Sequence, residues 1–331
     1  MKRSMSLALG IAALLIGVGI GFACGPTGWA WPSPELFSLR LMRVLLAVVV
    51  GAGLSVAGAA LQSLWRNPLA DPFVLGVSGG AAMGAAFVVG LGAMGGLSVG
   101  SIVGVVGIGA STAGAVIGAV AASAVLVAWA PKVAGDDHAG GAALIGVVVN
   151  AFSWAIVSVV RALLPAQDAA GLGQWLIGAL QHPALETLGL VAFATVGGGL
   201  VLVGQGASLT LLQGGEDDAA RLGVHVARVR LVVVVAASIV VGAAVASTGV
   251  IGFVGLLVPH AVRRLGAGGD DRLVLPLSAL TGGGLLAALD GLARAAFALV
   301  GSELPVGALC ALMGAPALAV LLVRDAKRSR S

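Results

Sequence analysis

Residues 40–85 read RLMRVLLAVVVGAGLSVAGAALQSLWRNPLADPFVLGVSGGAAMGA. From Val44 to Leu64 only Ser55, Gln62 and Ser63 interrupt a run of apolar and small residues. About 20 such residues cross roughly 30 Å of hydrocarbon as an α-helix. Arg66, Asn67, Pro68, Asp71 and Pro72 then crowd into a few positions before apolar text resumes. Those polar side chains are costly in hydrocarbon, and the prolines disfavour continuing the preceding helix. Asp71 is placed to accept backbone N–H groups where the next helix starts. The stretch therefore encodes a membrane helix, a turn outside the bilayer and a second membrane helix.

The alternation repeats from Ser6 to Val323 in a chain of 331 residues, 59% hydrophobic and 10% charged, with mean hydropathy +1.09. Short alternating strands of a transmembrane barrel are absent, and lipid leaves helix backbones no partners outside their own segment. The expected fold is an all-α polytopic membrane protein, one transmembrane domain over residues 1–331. About ten transmembrane helices are expected: 6–24, 41–64, 73–92, 101–130, 142–164, 183–204, 229–248, 250–265, 273–297 and 305–323. The first run, after Met1, Lys2 and Arg3, is long for a signal peptide and lacks a convincing small-residue cleavage site.

Orientation follows from charge. With the N-terminus in the cytoplasm, fourteen basic residues lie inside: Lys2, Arg3, Arg66, Lys132, Arg221, Arg228, Arg230, Arg263, Arg264, Arg272, Arg324, Lys327, Arg328 and Arg330. Only four, Arg40, Arg43, Arg161 and Arg294, fall outside. That asymmetry is the positive-inside bias, and it places both termini in the cytoplasm. Many of the 53 glycines recur at small-xxx-small spacing, as in Gly76, Gly80 and Gly84, or Gly100, Gly104 and Gly114 with Ala110 between. Such faces let helices pack backbone to backbone.

One longer insert, about residues 205–228, separates the sixth and seventh expected spans. Its core, LLQGGEDDAARLGVHVARVR at 211–230, places Glu216, Asp217 and Asp218 after Gly214 and Gly215 and before Ala220, Arg221, Leu222 and Gly223. Acids at the positive end of a short helix, with glycine where it stops, predict an amphipathic cytoplasmic helix suited to docking. An ordinary solvated connector has the same composition.

Other motifs dissolve in context. Gly76, Ser78 and Gly80 satisfy G-x-S-x-G, and Gly90, Gly92 and Gly95 evoke a dinucleotide fingerprint, but neither sits in the strand-turn-helix unit its chemistry needs. No G-x-x-x-x-G-K-[ST] occurs, and Lys appears only at 2, 132 and 327. The chain is thus expected to bind no cofactor or metal and to lack enzyme activity of its own. His138, His182, His225 and His260 are scattered over loops and helix ends, and Cys24 and Cys310 lie in separate apolar runs. Asp290 and Arg294, four apart, form a self-neutralising pair that either fixes a helix end or takes part in function.

The wording of residues 40–85, of GVIGFVGLLVPHAVRRL at 249–265, and of the later runs LPLSALTGGGLLAALDGLARAAF and ELPVGALCALMGAPALAVLLVR resembles the permease subunits of the iron-chelate and cobalamin class of ABC importers. The similarity extends from Leu39 to Arg324. It implies a type II importer permease fold in a bacterial inner membrane, a second permease alongside (identical or not), and two cytoplasmic ATPase subunits holding ATP and Mg. It also implies a periplasmic binding protein, and no nucleic-acid partner. The insert, from Gly215 to Gly223, looks like the coupling region that meets the ATPase. Arg40, Arg43 and Arg294 match receptor positions for acidic residues of the binding protein. Met42 stands where the family usually has proline, which puts the local bend in question. The turn of Arg66, Asn67, Pro68, Asp71 and Pro72 resembles the family's cytoplasmic turn and is expected to brace the insert. The cargo implied is a bulky metal chelate: ferric siderophore, haem or corrinoid. The rival reading is an ion-coupled secondary transporter, which needs carboxylates or broken helices near mid-membrane.

Overall fold

The opening stretch folds as its pattern demands, with a 31-residue helix, α2 (Pro34–Leu64), at the centre of the molecule. Ser33 precedes it and Pro34 occupies its first turn, where a missing N–H costs nothing. Met42 lies inside this unbroken helix. In the computed structural model, residues 3–25, 28–29, 31–94, 108–134 and 138–328 are described. Lys2, Gly95, Gly100, Gly104, Arg330 and residues 101–107 of the fourth expected span lie outside them.

Before α2 come α1 (Arg3–Ala23) and a two-residue antiparallel pair, β1 (Cys24–Gly25) with β2 (Gly28–Trp29). After it follow α3 (Val77–Met94), α4 (Ile108–Ala134), α5 (His138–Leu163), α6 (Ala166–Leu176) and α7 (Leu185–Gly204). The insert holds α8 (Gly206–Leu212) and α9 (Glu216–Arg221). The chain closes with α10 (Val226–Thr248), α11 (Val254–Val262) running into a π-helical segment Arg263–Ala267 that kinks at Gly266 (φ +121°), α12 (Asp271–Ala295), α13 (Phe297–Val300) and α14 (Val306–Arg328). Seven of the described helices are long and apolar enough to cross a membrane, and Val77–Ala93 and Val306–Val320 are shorter apolar helices.

α2 packs against α12, α7, α10 and α11, while α1 covers the other side of α12. A second group, α3 with α4 and α5, joins the first through α10. Lipid tails offer no hydrophobic gain for helix association, so close van der Waals contact must hold these helices together. A methyl group at Gly17, Gly58 or Gly84 would sit 2.0 Å from a backbone carbonyl oxygen of Gly284, Gly255 or Gly114. Glycine at these crossings is thus what permits the approach.

The eighth expected span, 250–265, differs from the structure. Residues 249–253 are not helical, with Gly249 at φ +70° and Phe253 at φ +67°, and α11 starts only at Val254. Irregular backbone at membrane depth needs protein around it. Here the carbonyl of Trp175 approaches Gly249, and Phe253 packs against Gly314. The short helix α6, unforeseen in the sequence, supplies part of that cover.

Candidate functional site

Charged side chains gather at the two ends of α2. Arg43 lies about 31 Å along the helix axis from Leu64, one hydrocarbon thickness away, so its end and the Trp65 end belong to opposite membrane faces.

At the Arg43 end the structure brings Arg43 and Arg294 together on Asp290, which is fully buried, with Arg40 near Arg294. The Arg43 Nε donates to Asp290 Oδ1 and Oδ2 at 3.0 and 3.2 Å, and Nη2 lies 3.0 Å from Oδ1. The Arg294 Nε lies 3.2 Å from Asp290 Oδ2, and its Nη2 donates to the Gly21 carbonyl. Arg43 Nη1 reaches Glu303 at 2.9 Å. Arg40 donates to the Phe22 carbonyl and lies against Gly25. All three arginines are buried, Arg43 and Arg294 to 4% exposure, and the half-exposed Glu303 carboxylate is what the cluster shows to solvent. A cavity of about 730 Å³ opens beside it, lined by Arg43, Gln174, Gln181, His182 and Glu303.

At the Trp65 end the insert is tied directly to α2, α10 and α12. Asp271, at the start of α12, is fully buried and accepts Arg263 Nη1 at 2.9 Å and Gln213 Nε2 at 2.7 Å. Its own N–H donates to Thr210 Oγ1 in α8 at 2.9 Å. Arg263, in the π-helical segment, donates through Nη2 to Ser63 Oγ near the end of α2 at 2.8 Å. Leu209 and Leu212 anchor α8 in the core. Glu216 of α9 pairs with Arg230, which stacks over the Trp65 ring with 5.9 Å to its centroid.

The acidic run forms a helix as its pattern suggested, but six residues long and preceded by α8. Gly215 (φ +132°) starts α9 and Gly223 (φ +89°) follows it, both in backbone conformations that favour glycine. Ala219 is buried, whereas Asp217, Asp218, Ala220, Arg221, Leu222 and Gly223 face outward, Leu222 with 68% exposure. Leu222 is thus an exposed leucine next to charged residues.

The RNPLADP turn lies across a cleft of about 250 Å³ from Gln213, with Arg66, Asn67, Pro68, Ser63 and Arg263 in its walls. Arg66 adopts φ +49°, a left-handed conformation that is uncommon for a residue other than glycine. Asn67 Oδ1 accepts the Leu69 N–H at 2.9 Å. Asp71 accepts the Phe73 N–H at 2.7 Å, capping a turn rather than α3, because Gly76 (φ +84°) intervenes before the helix begins. Burial pushes the Asp71 carboxyl up to about 6, against the pull of the Phe73 and Val74 amides. Pro72 packs beneath Gly255. The bonds that reach side chains of the insert come from Ser63 of α2, from Gly269, from Asp271 at the start of α12, and from Arg230 of α10.

A family model described as the FecCD transport family matches residues 7–324. The cobalamin import permease BtuC of Halobacterium salinarum is 38% identical over 292 residues, covering 86% of this chain and 72% of that protein. The hemin transport permease HmuU of Yersinia pestis is 37% identical over 290 residues, covering 87% and 83%. A solved metal-chelate type ABC transporter in an inward-facing conformation superposes with TM-score 0.81 at 27% identity, over 97% of this chain and 99% of that one.

Proposed function

The chain belongs to the FecCD transport family, and from that premise we propose that it is the membrane permease of an ATP-driven importer for a bulky metal chelate. In this reading ten crossings are made by the seven long helices, the two shorter apolar ones, and α11 with its π-helical extension. Both termini face the cytoplasm of a bacterial inner membrane. A second permease copy completes the pathway, two ATPase subunits bind below, and a periplasmic binding protein delivers cargo above. The observation that carries the proposal is the joint of Thr210 and Gln213 with Asp271, Arg263 and Ser63. It makes the insert a lever. Force applied to α9 passes through α8 to the ends of α2, α11 and α12, which is how a nucleotide-driven partner would tilt the spans. Relatives named for cobalamin and hemin support the cargo class.

Against the ion-coupled alternative, the three buried acids among the described residues are all engaged, Asp71 by the Phe73 N–H. Asp290 is held by Arg43 and Arg294 at the outer end, and Asp271 by Arg263 at the inner end. Reconstitution separates the two. Vesicles holding the permease are expected to take up chelate only with the ATPase and ATP present. Uptake driven by an ion gradient without the ATPase would overturn the proposal.

Binding-protein docking is proposed at the outer cluster. The arginines are engaged internally, so Arg43 would dock a carboxylate of the binding protein by exchanging Glu303 for it. Glu303→Gln is therefore expected to strengthen docking about 2- to 5-fold at low salt, the scale of one partly exposed ion pair. A titration of binding protein against permease in nanodiscs reads this. Unchanged or weaker docking would remove Arg43 from the contact.

A further inference from the structure

Two apolar grooves run along the membrane face of α10, on either side of the ridge formed by Leu231 and Val235. One, of about 440 Å³ between α4 and α10, is lined by Ala124 and Ala128 and ends at Arg230. The other, of about 530 Å³ between α7 and α10, is floored by Gly197 and Gly198. Both share Leu231 and Val235. The helices α4 and α10 run antiparallel, as Ser123 bonded to Ser238 at 2.8 Å and Val116 packed on Gly242 show. Continuing that register brings Lys132, one turn beyond Ala128, to the same end as Arg228. Both are exposed, and among the described residues neither is ion-paired. Arg230 gives one nitrogen to Glu216, yet its Nε is buried without a partner.

The geometry points to a binding site for one anionic phospholipid of the cytoplasmic leaflet, its two acyl chains straddling α10 and its phosphate held by Lys132 and Arg228. Two apolar channels flanking one ridge fit a two-chain lipid. A cationic mouth on the side expected to face the cytoplasm favours a headgroup of net negative charge over a zwitterionic one, whose ammonium offsets its phosphodiester. The site would tie the α4–α10 contact, next to the Glu216–Arg230 pair of the insert, to the charge of the surrounding membrane. The inference rests on the orientation proposed above. Its test needs neither ATPase nor cargo, so its failure would leave the transport proposal standing.

Native mass spectrometry of the purified full chain, supplied with phosphatidylglycerol or phosphatidylcholine of identical acyl chains, reads the site directly. The wild type is expected to retain phosphatidylglycerol preferentially. Replacing both exposed cations (K132Q with R228Q) should weaken that retention on the order of 30-fold, about 5-fold per cation removed, leaving phosphatidylcholine unaffected. Ala124→Phe should reduce binding of either lipid by blocking one channel. Equal retention of the two lipids by the wild type, or undiminished phosphatidylglycerol on the double variant, would overturn the site. Competition by soluble glycerol phosphate would reduce it to an anion site without chains. Disulfide-linked dimers of L231C would assign the ridge to a second copy of the chain.

Discussion

Asp290→Ala is expected to destabilise the folded chain by about 3–5 kcal/mol, the cost of leaving buried charge without its counter-ion. Asp290 accepts from Arg43 and Arg294 at once and is itself fully buried. Its removal strands two guanidiniums, each 4% exposed, with only the half-exposed Glu303 to share. Their mutual repulsion at close range adds to the desolvation cost. Removing a whole pair is different. Asp290→Leu combined with Arg294→Leu leaves Arg43 with Glu303 and should cost less than Asp290→Ala alone, even though the Gly21 carbonyl loses its donor. Denaturation midpoints of the full chain in detergent, arranged as a double-mutant cycle, measure this. A single substitution costing under about 1 kcal/mol, or a double variant worse than the single, would show that the cluster is not energetically a buried ion pair. Reversing Arg43 or Arg294 to an acid would press carboxylates against Asp290, and lost docking in such variants would report damage to the fold. Glu303, which is half-exposed, is the cleaner probe.

What the sequence showed and what it hid divides along a physical line. Local signals were legible: the prolines and Asp71 after Leu64 mark a turn, Gly215 and Gly223 bracket α9, and long apolar runs mark helices. The pair of Asp290 and Arg294 was visible because its partners are four residues apart on one helix. Arg43, 247 positions from Asp290, was not, since no periodicity relates the two. The joint of Gln213, Asp271, Arg263 and Ser63 was equally hidden. It draws on four separate elements, and each residue alone reads as a solvated loop or helix-end side chain. The break at residues 249–253 escaped because GVIGF is apolar throughout, and hydropathy cannot distinguish a helix from an irregular segment shielded by protein. Helix α6 was missed for the opposite reason, being too polar to resemble a span and carrying no strong cap.

Asp271→Ala is expected to separate ATP hydrolysis from transport. Asp271 is where the insert and the membrane helices meet, holding Gln213 by a charge-assisted bond, Arg263 by an ion pair, and Thr210 through its own amide. The surface proposed to meet the ATPase, the exposed residues Asp217, Asp218 and Ala220 to Gly223, does not involve Asp271. The partner should therefore still dock and turn over, while its stroke reaches α2 and α12 through weaker contacts. Hydrogen bonds to a charged group contribute about 1.5–3 kcal/mol, so cargo moved per ATP should fall about 10- to 100-fold. Gln213→Ala removes one of these bonds and should reduce coupling by about 10-fold. Asp271→Asn, which keeps the shape but drops the charge, should fall between wild type and Asp271→Ala. Simultaneous measurement of phosphate release and chelate uptake in vesicles containing the whole transporter gives the ratio directly. A lever with this joint removed hydrolyses without transporting. A purely structural role for Asp271 would lower both activities in proportion and leave Gln213→Ala indistinguishable from wild type, and that outcome would place the path of force elsewhere.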